Sequence, residues 1–402
     1  MKVLSLSARL PYPLDTGAKI RAYHILKAIA AVHDVTLLSF VGSREEEANI
    51  QPIRKLGVRV QSVVAPEIDQ GMSLPLLIKG VFSPYPATVA KYRNLRYARE
   101  LGHLLEKPFD VIHCEHLHMA HYLASSMSRK TILDAHNVES EIARRCFEQE
   151  ANPAKKTVLR WHAFKTRGYE IASLKKFDLV MAVSDRDAEA LSAMSGRHNC
   201  STIENGVDTE YFVPRDMVWN KNLVFVGSMD WRPNDDGMVY FLSEIFPLIL
   251  KRDSAVRLTI VGRRPSDKLK TLAKTIPNVR VTGAVDDVRP YIADGSVYVV
   301  PLRVGGGTRL KVLEAFAMRK AVVSTSLGSE GISYTDGRDI VIADSPEMFC
   351  SAVLKLLQDR AFSEQLGRNA AELARERYSW KSIAGKVQAC YERLGGNAGV
   401  SR

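Results

Sequence analysis

The chain is poor in the features that mark secreted, membrane-spanning or metal-stapled proteins. Its 402 residues include five cysteines, Cys114, Cys146, Cys200, Cys350 and Cys390, which are widely scattered and nowhere in Cys-x-x-Cys spacing. An odd, dispersed set argues against a disulfide framework or a zinc ribbon and points to a reducing compartment, the cytoplasm. No apolar run approaches the ~18 residues needed to span a bilayer, so no membrane-crossing helix is expected. The opening stretch Met1–Ser7 falls short of a signal-peptide core and runs straight into Arg9, Pro11 and Pro13, so it reads as a buried strand. Histidine is missing after His198, with all ten in the first half, so the two halves are not tandem copies.

What remains is ordinary globular material, 46% hydrophobic and 25% charged. The length implies two domains of about 200 residues. The formal charge of +11 is uneven: between Glu141 and Lys176 nine Lys and Arg face four acids. An anionic membrane surface, a phosphorylated ligand or a plain solvated face would each account for that bias. Nucleic acid is not expected as a partner, because the stretch lacks a recognised nucleic-acid motif and aromatics are few.

Short apolar runs alternate with amphipathic stretches, the pattern of βα units feeding parallel sheets. Strands are predicted at 2–6, 35–40, 58–64, 110–113, 131–134 and 179–183, with helices at 19–31, 44–55, 89–105, 117–126 and 138–176, the last in one or two pieces. Ser184 followed by Asp187 marks the start of a helix at 185–194. The periodicity breaks at 195–199. A second series then begins, with strands at 222–226, 256–261, 279–281, 297–300 and 321–324, and a final helix is predicted at 382–394. The expected domains are 1–203, 204–378 and a closing helical segment 379–402.

The most informative stretch is Pro301 to Ala317, where a buried strand runs into Gly305, Gly306 and Gly307 and a helix is expected from about Thr308. Consecutive glycines let backbone N–H groups approach a ligand, and a helix amino end adds partial positive charge. Arg303, Arg309 and Lys311 surround that point with cations, which suits a diphosphate. Glu314 lies roughly two turns further on, where a carboxylate can accept hydrogen bonds from a pair of ribose hydroxyls.

The ordered set Ile203–Asp208, Val224–Met229, Leu258–Gly262, GGGTRLKVLEAFA and Ala321–Thr325 resembles the donor half of family 4 retaining glycosyltransferases. The likeness extends to Met1–Leu38, Asp110–His113, Asp178–Ser184 and Tyr378–Trp380. It implies the GT-B fold: two Rossmann-like α/β domains facing each other across a cleft, with a C-terminal helix crossing back to the first. It also implies a nucleotide sugar as donor, a glycan or lipid-linked acceptor, peripheral attachment to the inner face of the cell membrane, and no metal or other cofactor. The family's Glu-x7-Glu signature keeps its second acid as Glu314 while the first falls on Gly306. The Arg that usually follows the glycine at position 227 is Ser228, so Arg232, Arg303, Arg309 or Lys311 is left to supply the phosphate-clamping charge beside Gly227. In the first βα turn Gly17 stands alone where many relatives have a glycine pair, with Lys19, Arg21 and His24 just beyond it.

His113 to His121 packs four histidines, a Cys and a Glu into nine residues, but in neither an HExxH nor an HxxEH pattern. The resemblance maps this stretch onto a loop bearing a functional histidine, whose position falls on Glu115 with His116 alongside. A second loop, Asp134–Glu139, adds His136. These three are the candidate catalytic residues, since a retaining transfer stabilises an oxocarbenium-like centre and manages one proton. A nucleotide-sugar epimerase and a non-catalytic nucleotide-sensing or scaffolding subunit are the competing readings.

Overall fold

The computed structural model describes residues 1–69, 73–123, 129–215, 219–305 and 307–396. They form two compact units, one comprising Met1–Glu204 with Ala384 onward and the other Asn205–Ile383.

The first unit is built on a parallel sheet of seven strands: β1 (Lys2–Ser7), β2 (Asp34–Val41), β3 (Arg59–Val64), β4 (Val111–Glu115), β5 (Lys130–Ala135), β6 (Leu179–Ala182) and β7 (Cys200–Thr202), in the order β3-β2-β1-β4-β5-β6-β7. The central strands are buried along nearly their whole length, as continuous Val, Leu and Ile runs in parallel sheets require. The second unit carries a six-stranded sheet: β8 (Asn222–Val226), β9 (Arg257–Val261), β10 (Val279–Val281), β11 (Val297–Val300), β12 (Ala321–Ser324) and β13 (Val341–Ile342), in the order β10-β9-β8-β11-β12-β13. Strand order reverses beside β1 and β4 in one sheet and beside β8 and β11 in the other. Open α/β sheets bind ligands at such switch points, just past the carboxyl ends of the strands.

Most predicted elements are present, with differences that have local causes. The stretch 138–176, expected as one helix or two, is two helices, Glu139–Glu148 and Pro153–Leu174. Asn152 caps the second by accepting from Lys155 N (3.1 Å) with Pro153 in the first turn. The predicted helix 89–105 is similarly divided into Ala87–Ala90 and Leu95–Leu105, with Asn94 capping the latter. The helix expected from Leu117 is a 3-10 turn, Leu117–Tyr122, and its predicted end at 124–126 lies outside the described residues. Ser184 caps the helix Asp185–Ser195 through Asp187 N (3.1 Å), as its spacing predicts. The strands β7 and β13, three and two residues long, are too short to show a period and went unpredicted.

The last helix, Trp380–Gly396, follows a break at Tyr378–Ser379. From Ala384 it belongs to the first unit, where Lys386 Nζ donates to Glu204 Oε2 (2.7 Å) and the Tyr391 hydroxyl shares a hydrogen bond with His113 Nδ1 (2.9 Å).

Two buried charge clusters as candidate functional sites

In the first unit the site grows from three neighbouring strand ends. Helix Gly17–Ala30 is capped by Thr16, so Gly17 opens it at an exposed position. Arg21, one turn on, falls on the apolar stripe with Ile25 and Ala28 and is 1% exposed. Its guanidinium donates to both oxygens of Asp134 at the end of β5 (2.6 to 3.1 Å) and to the carbonyls of Ile203 (2.8 Å) and Glu204 (3.1 Å). Burial by itself would raise the Asp134 carboxyl, but Arg21 and His136 together hold it well below the usual carboxylate range.

His136 sits two residues past Asp134, its Nε2 2.6 Å from Glu115 Oε1 and 3.4 Å from Asp134 Oδ2. Burial disfavours its charged form, yet the carboxylates of Glu115 and Asp134 outweigh it and raise the imidazole to about 9. His136 is therefore an imidazolium at neutral pH. The contact ties Glu115 Oε1 to the imidazolium as a close, buried ion pair.

His116, next along from Glu115, has φ of 67°, a backbone conformation that costs a non-glycine residue free energy and collects at functional sites. Its ring lies 3.7 Å from that of His136 and its buried Nδ1 has no hydrogen-bond partner. Burial, then the charge on His136, depress its pKa well below the usual histidine value, so it is neutral. Burial takes His118 and His121 down to about 4. The structure thus brings Glu115, His116 and His136 together, their ligand-type atoms within 4.8 Å of one another. Two imidazoles and a carboxylate are a divalent-metal donor set. Without an ion the two carboxylates hold His136 charged, so binding a metal there would release its proton.

In the second unit Gly227 ends β8 at the switch point. A Cβ there would fall 2.5 Å from Lys311 Nζ and 2.9 Å from Asn234 Nδ2, so glycine is the side chain that fits. Asn234, on helix Arg232–Tyr240, donates to the Ser228 carbonyl (2.7 Å) and accepts from Lys311 Nζ (2.5 Å). The ammonium also lies over the Phe225 ring, 4.4 Å from its centroid. After β11 the chain enters the glycine loop. Gly305 and Gly307 have φ of 109° and 82°, which a side chain disfavours, and Gly306 lies outside the described residues. The helix starts at Leu310 rather than near Thr308, because Arg309 occupies the cap position with non-helical φ and ψ. Thr308 Oγ1 is buried without a hydrogen-bond partner.

The four candidate cations are not equivalent. Arg303 is exposed, paired with Asp236 (2.9 Å) and stacked on Tyr240. Arg232 is exposed at the start of its helix. Arg309 is buried, with its guanidinium close to Gly305. Lys311 faces Gly227, and burial, then Arg309, lower it to about 7. Glu314 is raised to about 7, by burial against the opposing pull of Lys311.

Sequence reasoning missed Asp134 and Asn234 and placed Arg21 just beyond Gly17 without a partner. The signal for the first pair was present: an Arg on an apolar helical stripe and an acid closing a buried strand imply each other. Nothing local singles out Asn234.

A family model described as Glycosyltransferase Family 4 matches residues 16–211, and one described as Glycosyl transferases group 1 matches residues 220–359. The chain is 23% identical, over 96% of its length and 98% of the relative's, to an uncharacterized 44.6 kDa protein in the cps region of Klebsiella pneumoniae. Its structure resembles sucrose-phosphate synthase from Thermosynechococcus elongatus (TM-score 0.71, 16% identity, 99% and 100% of the two chains). It also resembles HepE from Anabaena, solved in complex with UDP (TM-score 0.67, 14% identity, 98% and 100%). With one model over each sheet and GT-B architecture in these neighbours, the chain belongs to the glycosyltransferases, its first unit of family 4 type and its second of group 1 type.

Proposed function

We propose that the protein is a retaining glycosyltransferase that moves a sugar from a nucleoside-diphosphate sugar to a glycan or lipid-linked acceptor in the synthesis of a cell-surface polysaccharide or glycolipid. The observation that carries this reading is the second unit's switch point, where a glycine at the end of β8, a glycine loop after β11 and inward-facing cations converge. Backbone N–H groups and cations suit a diphosphate, and Glu314 suits ribose hydroxyls. HepE, a structural neighbour, was solved with UDP and also with UDP-glucose.

Glu115, His116 and His136 take the chemistry. His136, already protonated, cannot act as a base. It fixes the Glu115 carboxylate by charge and offers positive charge to the site. The Glu115 carboxylate, held by that pair, can accept the acceptor's hydroxyl proton or face the developing cationic carbon, and neutral His116 can hold a sugar hydroxyl. The leaving diphosphate is neutralised by protein cations, without a metal.

The first unit also supports attachment to an anionic membrane. On helices Leu74–Phe82 and Pro153–Leu174, Ile78, Phe82, Trp161 and Phe164 are 45%, 86%, 47% and 69% exposed. The two helices are tied by Lys165, whose ammonium donates to the Gly80, Val81 and Ser83 carbonyls. The longer one has a single acid, Glu170, which is buried and holds the amino end of Glu139–Glu148. Exposed aromatics beside Lys155, Lys156, Arg160 and Arg167 are the composition of an interfacial surface, and among the described residues no helix is long and apolar enough to cross a membrane. We place the protein in the cytoplasm, peripheral to the membrane.

A screen of nucleotide sugars for binding and turnover tests the reading. One of them should bind and, with acceptor, be consumed, and turnover should persist in excess chelator. Binding without transfer or hydrolysis under any acceptor mixture would favour a sensing subunit. Loss in chelator, restored by one divalent ion, would make Glu115, His116 and His136 metal ligands.

A further inference from the structure

In the family that the sequence resembles, the phosphate-clamping charge comes from an Arg directly after the position of Gly227. This chain has Ser228 there, and the exposed Arg263 and Arg264 pair with Asp230 (3.4 and 3.7 Å), Arg263 also donating to Ser228 Oγ (2.8 Å). We propose that Lys311, steered by Asn234 into the space left open by Gly227, is the cation that clamps the diphosphate, with Asn234 as its positioning residue. The inference rests on the donor reading above and says which group carries the charge.

Three features of the site support it independently. Gly227 ends the strand beside the switch point, where a diphosphate approaches backbone most closely, and Lys311 Nζ is the nearest atom to the Cβ that this glycine lacks. Asn234 accepts from Lys311 while its amide is anchored on the Ser228 carbonyl, so the ammonium is aimed before any ligand arrives. The ammonium has a neutral amide and an aromatic face for partners, so its charge is available to an incoming anion.

A consequence is that binding takes up a proton. The groups around the ammonium are Arg309 and Glu314 from its own helix and its cap, and Asn234 and the Phe225 ring from the neighbouring elements, while the Tyr298 hydroxyl faces Glu314 and donates to the Val226 carbonyl. Asp235 and Asp236, on the helix of Asn234, are engaged by Ser266 N and Arg303. In the empty site Lys311 titrates at about 7, and a bound dianion raises it. Between pH 7 and 9 the free site is increasingly neutral while the bound site stays protonated, so affinity falls as pH rises. The diphosphate's own charge is nearly constant in that window, its last pKa being about 6.

The test is calorimetric titration of the full chain with UDP, and with GDP and ADP should UDP not bind, at pH 7, 8 and 9 in buffers of differing ionisation enthalpy, with the matching monophosphate as control. We expect the parent to take up a fraction of a proton. Lys311→Met should weaken diphosphate binding by about 10- to 100-fold, the loss of a charge-assisted hydrogen bond, abolish the uptake and leave monophosphate affinity nearly unchanged. Gly227→Ala, which displaces the ammonium without removing it, should weaken the diphosphate in the same direction. Parental affinity and proton uptake in Lys311→Met would overturn the inference while leaving the donor reading intact. A parent chain that binds no nucleoside diphosphate would overturn both.

Discussion

The two units bury charge in opposite ways. In the first, Arg21, Asp134, His136 and Glu115 form a closed set in which every ion faces its opposite, and the pKa values of Asp134 and His136 move apart to fix the charges. In the second, Lys311 and Glu314 both lie near 7, each pushed toward neutrality by burial. The first cluster is complete before ligand arrives and holds its geometry rigidly. The second is electrostatically unfinished, which suits the anionic ligand proposed for it. This is the difference expected between a wall that must present fixed catalytic groups and a site that must gain and lose a diphosphate in every cycle.

The sharpest way to break the comparison is to remove one partner of the closed set. Asp134→Ala leaves the Arg21 guanidinium buried against an apolar hole and should cost about 3–5 kcal/mol, seen as a lower midpoint in urea denaturation. If the cluster holds catalytic groups, changes at its other members should act on transfer rather than on nucleotide binding. Ala at Glu115, His116 and His136 in turn should leave nucleotide affinity near parental while at least one cuts transfer about 10²-fold or more. Near-parental transfer in all three would remove the catalytic assignment from this cluster.

On the other side of the comparison, Glu314→Ala should weaken nucleotide binding by about 1.5–3 kcal/mol, as for a charge-assisted hydrogen bond to ribose, with transfer at saturating donor changed much less. Unaltered affinity would sink that assignment.

The smallest effect is in pH. His136 has its folded pKa raised to about 9, so its stabilisation is fully present below about 6.5 and is lost as pH rises through 9. Lys311 is depressed to about 7, so from there toward its ordinary value the unfolded chain binds the extra proton and stability rises with pH. Glu314, raised to about 7, loses stability between its ordinary value and 7, which puts a trough near neutrality for this pair. Native-state hydrogen exchange between pH 7 and 9 should therefore show β4 and β5 amides losing protection while β11 and β12 amides gain it. His136→Gln should flatten the first trend and Lys311→Met the second.

The resemblance and the glycine loop singled out the region after β11 in the second unit from sequence, yet they could not rank Arg232, Arg303, Arg309 and Lys311. Spacing along a chain does not say which of four long side chains turns inward. Only the fold shows Arg303 drawn outward by Asp236 and Tyr240 while Lys311 turns toward Asn234. In the first unit Glu115, His116 and His136 were legible as strand-end residues, but their charge states were not, because a histidine's pKa depends on what burial brings beside it.

What the sequence determined by itself is whatever is periodic or local: two series of βα units, the buried β-strands, the cap at Ser184, the glycine loop after β11 and the excess of positive charge on helix Pro153–Leu174. Hydrophobic period and capping chemistry act over a few residues, so they can be read in a line of text. The tertiary structure alone decided that Arg21 is buried against an acid 113 positions away, that His136 is charged while its neighbour His116 is neutral, and that Gly227 makes room for Lys311. Those outcomes depend on distance and desolvation between residues far apart in the chain, and both quantities come into existence only when the sheets assemble.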